Sequence, residues 1–282
     1  MTALPSDPMA LDVRPVTGTI GAEVLGVDPS QSLDDGTVDE IRKAWLDHLV
    51  LFFRNVDVTP EQQIRFARYF GEIQPPPLRT QHGGPPEMNV LDQTEPKGDG
   101  ADTWHNDSTF APEPPMGSVL RVVKLPRVGG DTCFASMYAA YEALTPTMQR
   151  HIEGLEAVHD IIPQLLVANE RGHTNVDLDE ARRRFPPVRH PVVRTHPETG
   201  RKALFVNSNH TTHIYGVPRS ESDHILALLY DHTKSPEFQC RFRWDEHSLI
   251  FLDNRSCQHY AVPDYHERRI LHRVQLKGDR PY

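Results

Sequence analysis

The chain predicts a mainly β fold, a double-sheet barrel with flanking helices, and three observations carry that reading. Short segments rich in β-branched and aromatic residues recur along its whole length. Helical periodicity is confined to a few stretches. Neither a GxGxxG nor a GxxxxGK[ST] motif is present, so the parallel α/β nucleotide folds have no support. With 282 residues the chain can bury most of its unfolded surface without staples, and it is expected to form one domain spanning 1–282.

Taken in order, the first helix is expected over residues 37–48. Asp34 and Asp35 are cap candidates, and Val38, Ile41, Trp45 and Leu49 fall at helical spacing. It runs into an apolar stretch, 49–53, that reads as a buried strand. Thr59-Pro60-Glu61-Gln62 opens a second helix with a capping threonine, a proline in the first turn and Gln62 at the capping-box position. Gly71 is expected to end it as the left-handed residue. Residues 74–100 are rich in proline and glycine and read as a loop, interrupted by a strand over 88–91. Strands follow over 118–125 and 132–135, and Thr145-Pro146 signals another helix. The segment 162–187 is polar and poorly periodic, which predicts a mobile loop or lid. Strands return over 202–207, 238–244, 249–253 and 269–276. A helix over 221–231 interrupts them, with Ile225, Leu228 and Leu229 as its apolar face.

Charge and composition exclude several functions. Thirty Lys and Arg against 39 Asp and Glu give a net charge of −9. A pI near 5.9 argues against nucleic-acid partners, because phosphate backbones select basic faces. No apolar stretch approaches the ~20 residues that a membrane helix needs, so no membrane role is expected. The first residues lack the basic and apolar regions of a secretory leader. Three cysteines at wide spacing, Cys133, Cys240 and Cys257, suit a reducing compartment without disulfides, and the cytoplasm is the expected location. Histidine, at 16 residues, stands out, and asks which of them are ligands.

The sharpest motif is Trp104-His105-Asn106-Asp107. In an extended strand, residues i and i+2 share a face, so His105 and Asp107 would aim an imidazole and a carboxylate at one point. With one more histidine from elsewhere they would make the two-histidine, one-carboxylate facial triad of non-haem Fe(II) oxygenases. A lone His-x-Asp also fits a surface turn. The C-terminal segment adds a histidine, His259, followed ten residues later by Arg269. Arg269 and Arg273, at i and i+4 on one strand, would present two guanidinium groups to one face as clamps for carboxylate, sulfonate or sulfate. An ordinary basic edge strand is the alternative. Ile270, Leu271 and Val274 make the segment look buried, where arginines need anionic partners.

The chain resembles the taurine dioxygenase/TfdA family of Fe(II)- and 2-oxoglutarate-dependent dioxygenases. The resemblance runs from Gly18-Thr19-Ile20-Gly21-Ala22-Glu23 to Gly278-Asp279. It includes Phe70-Gly71-Glu72, Trp104-His105-Asn106-Asp107, Gly129-Gly130-Asp131-Thr132 and the run from His190 to Pro197. It also includes Asp253-Asn254-Arg255, Gln258-His259-Tyr260 and Arg268-Arg269-Ile270-Leu271-His272-Arg273. It implies a double-stranded β-helix (jelly roll) with flanking helices. It further implies that His105, Asp107 and His259 ligate Fe(2+), and that Thr132 and Arg269 hold the far carboxylate of 2-oxoglutarate. Arg273 would grip the anionic group of a small organic substrate, and Trp104 would pack behind the first ligand. The implied reaction consumes 2-oxoglutarate and O2, releases succinate and CO2, and hydroxylates the substrate. Next to a heteroatom, hydroxylation leads on to bond cleavage. Relatives commonly assemble as dimers or tetramers, so a homo-oligomer is expected.

The pocket departs from that of the taurine-using members. Pro76 and Arg79 replace a histidine and a tyrosine, Ala101 replaces an asparagine, and Ile161 and His210 replace two phenylalanines. The ammonium of taurine would lose its partners, so taurine is not the expected substrate. A more cationic pocket built from Arg273, Arg79 and His210 suits a sulfonate, alkyl sulfate, phosphonate or carboxylate, including molecules with two acidic groups. Arg79 is equally compatible with a place in solvent. Arg182, Arg183, Arg184 and Arg219 are read as solvated surface, and His159, beside Asp160, as structural. An aryloxyalkanoate dioxygenase or alkylsulfatase-like enzyme is the neighbouring alternative. A non-redox metal-binding jelly roll, as a 2-oxoglutarate sensor or a hydrolase, is the alternative of another class.

Overall fold

Four consecutive apolar residues, Val50 to Phe53, are all buried, and this places their strand between two cores. A computed structural model describes residues 11–76, 85–94, 96 and 101–282, and Arg79 lies outside them. The elements run β1 (Asp12–Pro15), β2 (Ala22–Leu25), α1 (Asp35–His48), β3 (Val50–Phe53), α2 (Pro60–Arg68), β4 (Ile73–Gln74), β5 (Met88–Gln93), β6 (Gly117–Lys124) and β7 (Thr132–Ser136). Then come α3 (Met137–Glu142), α4 (Pro146–Ile152), β8 (Glu156–His159), α5 (Ile162–Glu170), α6 (Leu178–Arg184), β9 (Val188–Pro191), β10 (Val193–Thr195), β11 (Lys202–Leu204) and β12 (Thr211–Ile214). The chain closes with α7 (Arg219–Thr233), β13 (Gln239–Phe242), β14 (Leu249–Asp253), β15 (Cys257–Ala261) and β16 (Arg269–Leu276).

An eight-stranded sheet in the order β1-β2-β3-β14-β6-β16-β4, with β5 also on β16, faces three small sheets: β13-β7-β15, β12-β8-β9 and β10-β11. The result is a jelly roll. Alternation along each central strand sorts its side chains. Val50, Phe52, Ile250 and Leu252 point into the inner core with Phe134, Phe242 and Cys257 of the facing sheet. Phe52 stacks on Phe242 at 4.3 Å and meets Phe134 at 5.8 Å, joining the two layers. Leu51, Phe53, Leu249 and Phe251 point outward to α1 and α2, where Trp45 stacks on Phe251 at 4.2 Å. A strand covered on both faces reads as an unbroken apolar run.

Helix starts follow their caps. Asp34 accepts from Thr37 N at 3.0 Å, so α1 begins two residues before the expected 37. At α2 the capping box of Thr59 and Gln62 forms as expected. Gly71 does not end α2: the helix stops at Tyr69 in right-handed geometry, and Gly71 is outside the left-handed glycines. It is small because a Cβ there would lie 2.5 Å from Met116 Cε. The apolar face of α7 is Leu226 and Leu229, whereas Leu228 is exposed, because the face tilts by one position from the expected one.

The largest correction concerns 162–187. It is not a loop but two short helices, α5 and α6. The Asn169 side chain organises the turn between them, donating to Val176 O at 2.8 Å and accepting from Val176 N at 3.0 Å. Asp177 then caps α6. Only Leu165, Ala168 and Ala181 of this helical pair are buried, too few to write an amphipathic period. Arg182, read as solvated, pairs with Asp160 at 2.9 Å and ties α6 to the barrel.

Candidate active site

His105, Asp107 and His259 converge, buried, with one ligand atom each lying within 4.8 Å of the others. Asp107 Oδ1 is 3.9 Å from His105 Nε2 and 3.8 Å from His259 Nε2. The convergence does not come from strand alternation, as expected above. His105 forms an isolated antiparallel bridge with His259, and Asp107 lies in the turn beyond it, before Ser108 at a positive φ of 52°. Reciprocal backbone bonds of 3.1 and 2.9 Å between His105 and His259 bring two residues far apart in sequence together.

Two asparagines lock the turn. Asn254 Oδ1 accepts from Asp107 N at 2.7 Å, while its Nδ2 donates to Asp107 O at 3.0 Å and Pro115 O at 2.8 Å. Asn106 Nδ2 donates to Asn254 O at 2.8 Å and Cys257 O at 3.0 Å. The carboxylate segment is therefore bolted to the turn between β14 and β15, and β15 carries His259. Sequence reasoning gave neither asparagine a role. The signal was Asn254 in a motif between two strands, where an amide can satisfy several buried backbone groups at once.

Protonation suits ligation. His105 Nδ1 sits 2.7 Å from Thr103 O, which only accepts, so Nδ1 carries the hydrogen and Nε2 keeps its lone pair. Burial pulls His105 below its ordinary value and His259 down to about 3, leaving both imidazoles neutral. Burial pushes Asp107 up, but the Arg273 guanidinium above all, helped by the Ser118 hydroxyl, outweighs it and holds the carboxyl well below the usual range. Asp107 Oδ2 accepts from Ser118 Oγ at 3.2 Å and Gln275 Nε2 at 3.1 Å, and Oδ1 accepts from Arg273 Nη1 at 2.7 Å. Two neutral imidazole nitrogens and one ionised carboxylate oxygen in a buried cluster form the donor set of a facial non-haem iron site.

Beside it lies a cationic clamp. Arg269 and Arg273 share one face of β16, but their surroundings differ. Arg273 reaches Asp107. Arg269 is buried, and no described carboxylate lies within ion-pairing distance of it. Among the described residues its Nε has no partner, its Nη2 lies 3.4 Å from Thr132 Oγ1, and burial works against its charge. A buried guanidinium left this way fits an incoming carboxylate. Gly130 permits the approach: a Cβ there would meet Arg269 Cδ at 3.1 Å.

On the other side is a wall of histidines. Thr109 Oγ1 is 3.0 Å from His159 Nδ1 and 3.3 Å from His210 Nδ1, and it accepts from Asn207 Nδ2 at 3.0 Å. His210 Nε2 is 3.0 Å from Gln164 Oε1 on α5. Gln164 Oε1 only accepts, so His210 donates from Nε2 and receives at Nδ1. The chain then runs in one direction, from His159 Nδ1 through Thr109 and His210 to Gln164. Burial pulls His210 down to about 3. His210 is therefore a neutral donor and not the cation expected above. It packs on Phe110 at 5.1 Å, and Ile161 joins Phe110, Leu165 and Ala181 in an apolar cluster. Ala101 lines a small cleft with Gln93, Asp102 and Tyr265, next to Arg269, whose guanidinium carbon lies 5.9 Å from the Tyr265 ring. Trp104 stacks on Tyr260 at 5.6 Å.

Fold and site together define a jelly-roll oxygenase of the two-histidine, one-carboxylate type. The model of the taurine catabolism dioxygenase TauD, TfdA family matches residues 12–275, and the chain belongs to that family. It is 37% identical to the alpha-ketoglutarate-dependent sulfate ester dioxygenase of Pseudomonas putida, over 97% of this chain and 91% of that protein. It is 36% identical to the alkylsulfatase of Acinetobacter baylyi, over 95% and 86%. The crystal structure of AAD-2 in complex with Mn(II) and N-oxalylglycine superposes with a TM-score of 0.83 at 31% identity, covering 97% and 99% of the two chains. The protein is an enzyme, an Fe(II)- and 2-oxoglutarate-dependent dioxygenase that uses O2. Among the described residues, no helix is long and apolar enough to cross a membrane.

Proposed function

We propose that the enzyme oxidises a small organic monoanion with an apolar body, an alkyl sulfate before a sulfonate or carboxylate. In this reading His105, Asp107 and His259 hold the iron, and Arg269 with Thr132 holds the far carboxylate of 2-oxoglutarate. Arg273 takes the anionic group of the substrate, through the buried Nε that has no partner. The bound metal supplies activation of O2 with decarboxylation of the cosubstrate; the chain supplies position and charge and excludes water.

The observation that carries the reading is Arg269: a buried cation with an unpartnered Nε, beside a hydroxyl, near an ionised facial ligand set. A hydrolase has no use for such a clamp. For the substrate, the neutral state of His210 limits the anion pocket to Arg273 among the described residues, which favours one acidic group over two. Phe110, Ile161, Leu165 and the partly buried Phe185 pack into an apolar cluster beside His210, a poor environment for the ammonium of taurine. The likeness to two sulfate-ester enzymes supports the same order of preference. Oxidation of an alkyl sulfate would replace a C–H bond by C–OH on the carbon bearing the ester oxygen. That adduct breaks its C–O bond to release an aldehyde and hydrogen sulfate.

The test begins with an anaerobic visible titration of the apo-protein with Fe(II) and 2-oxoglutarate. A metal-to-ligand charge-transfer band is expected, shifting on addition of an alkyl sulfate. Iron binding without a band would overturn the cosubstrate assignment in favour of a non-redox role. A panel of alkyl sulfates, sulfonates and an aryloxyalkanoate, read by succinate and aldehyde release, then ranks substrates. Highest kcat/KM on the aryloxyalkanoate would move the enzyme to that neighbouring class. We further propose one domain over 1–282 and a cytoplasmic homo-oligomer; the free thiols of Cys133, Cys240 and Cys257 support a reducing location, and light scattering tests the assembly.

A further inference from the structure

Thr132 Oγ1 has an unusual set of neighbours. The indole Nε1 of Trp244 is 3.0 Å away and Arg269 Nη2 is 3.4 Å away. Indole and guanidinium nitrogens donate and never accept. A hydroxyl has one hydrogen and two lone pairs, so these neighbours fill the lone pairs and leave the hydrogen of Thr132 with no acceptor among them. The hydroxyl is thus turned outward as a donor, beside a guanidinium whose Nε also has no partner.

Trp244 is held for this task. It is buried, and it meets Phe242 edge-on at 5.3 Å, which itself stacks on Phe52 at 4.3 Å. Its ring also lies 5.9 Å from the guanidinium carbon of Arg269, and the Tyr265 ring lies 5.9 Å from the same atom. The Tyr265 hydroxyl donates to Gln93 Oε1 at 3.0 Å, which fixes that second ring.

We propose that Trp244 is a positioning residue for 2-oxoglutarate: its indole N–H orients the Thr132 hydroxyl to donate to the far carboxylate that Arg269 holds. The proposal rests on the cosubstrate assignment made above. It predicts that the benefit of Trp244 depends on Thr132 and on the presence of a far carboxylate in the ligand.

Calorimetric titration of the Mn(II)-loaded protein with 2-oxoglutarate, and with 2-oxobutyrate as a 2-oxo acid lacking the far carboxylate, tests this without turnover. Trp244→Phe keeps a ring over Arg269 and removes only the donor. The variant is expected to bind 2-oxoglutarate about tenfold more weakly, a loss of one charge-assisted hydrogen bond, and to bind 2-oxobutyrate as the wild type does. Thr132→Val is expected to lose about as much, and the double variant no more than Thr132→Val alone. On the unmutated protein, the isotope-labelled indole N–H resonance that moves in Thr132→Val is expected to shift with 2-oxoglutarate and not with 2-oxobutyrate. This second readout does not depend on how Trp244→Phe folds. Unchanged 2-oxoglutarate affinity, equal losses for both acids, or additive losses in the double variant would overturn the inference alone. Failure of the wild-type protein to bind 2-oxoglutarate would overturn the cosubstrate assignment and the inference with it.

Discussion

The two sides of the iron site are built on opposite principles. The clamp side, Arg269 with Thr132 and Trp244, buries a charge and leaves its hydrogen bonds unfinished. On the wall side, His159, Thr109, His210 and Gln164 form a neutral chain, and among the described residues only His159 Nε2 within it is left without a partner. Burying an unpaired cation costs more stability than burying a neutral network with one open imidazole nitrogen. The clamp is therefore tolerated for what it binds, and the wall is there to hold shape. Charge at this site comes from arginine, and the histidines outside the ligand set contribute geometry.

The sharpest way to break the contrast is at the junction both sides share. Asp107→Ala removes the ligand and the partner of Arg273 together. Succinate formation is expected to fall by ~10³-fold or more with loss of the charge-transfer band; full turnover would remove Asp107 from the metal site. Next comes the clamp: Arg269→Ala should weaken 2-oxoglutarate by ~100-fold or more, as expected for one partner lost from a buried ion pair. Affinity for iron should not change, and direct titration checks both.

The wall makes a prediction about pH. Burial holds His190, which donates to Thr109 O at 2.9 Å, down to about 4 against an ordinary 6.5. Its proton affinity is lower in the fold than in the unfolded chain. As pH falls below about 6.5 the unfolded state takes up the proton first, so stability drops between about 6.5 and about 4 and then levels. The loss from this group is about 3 kcal/mol. Denaturant titrations from pH 7.5 to 4 should show the slope, and His190→Gln should lessen it by about one proton's share, the rest coming from the other buried histidines. A clamp variant should leave that slope unchanged. The smallest effect is expected at the end of the wall. Gln164→Leu removes the acceptor of His210 and should raise KM for the organic substrate about fivefold, leaving that for 2-oxoglutarate unchanged. Equal rises in both would show that the two sides are not separable.

Much of this was legible in the residues. The strand run 49–53, the capping box at Thr59 and the strand carrying Arg269 follow from local pattern, because alternation and capping are short-range physics, whereas the strand carrying His259 was not foreseen. The helices over 162–187 were missed because their few buried residues write no period, and an asparagine side chain supplies the turn. Trp244 was read only as the end of a strand. Its inward alternation with Cys240 and Phe242 was visible, but not the hydroxyl it would meet across 112 positions.

By itself, then, the sequence determined the jelly-roll class, the ligand and clamp residue types, and the motifs that mark the family. Those depend on periodicity and on side-chain chemistry, which each residue carries wherever it lies. The tertiary structure alone decided that His105 meets His259 across a backbone bridge, that Asn254 bolts the carboxylate turn in place, and that Arg269 has no ion-pair partner among the described residues while His210 is neutral. Proton and hydrogen-bond states are set by burial and by neighbours from distant strands, and no local pattern encodes either.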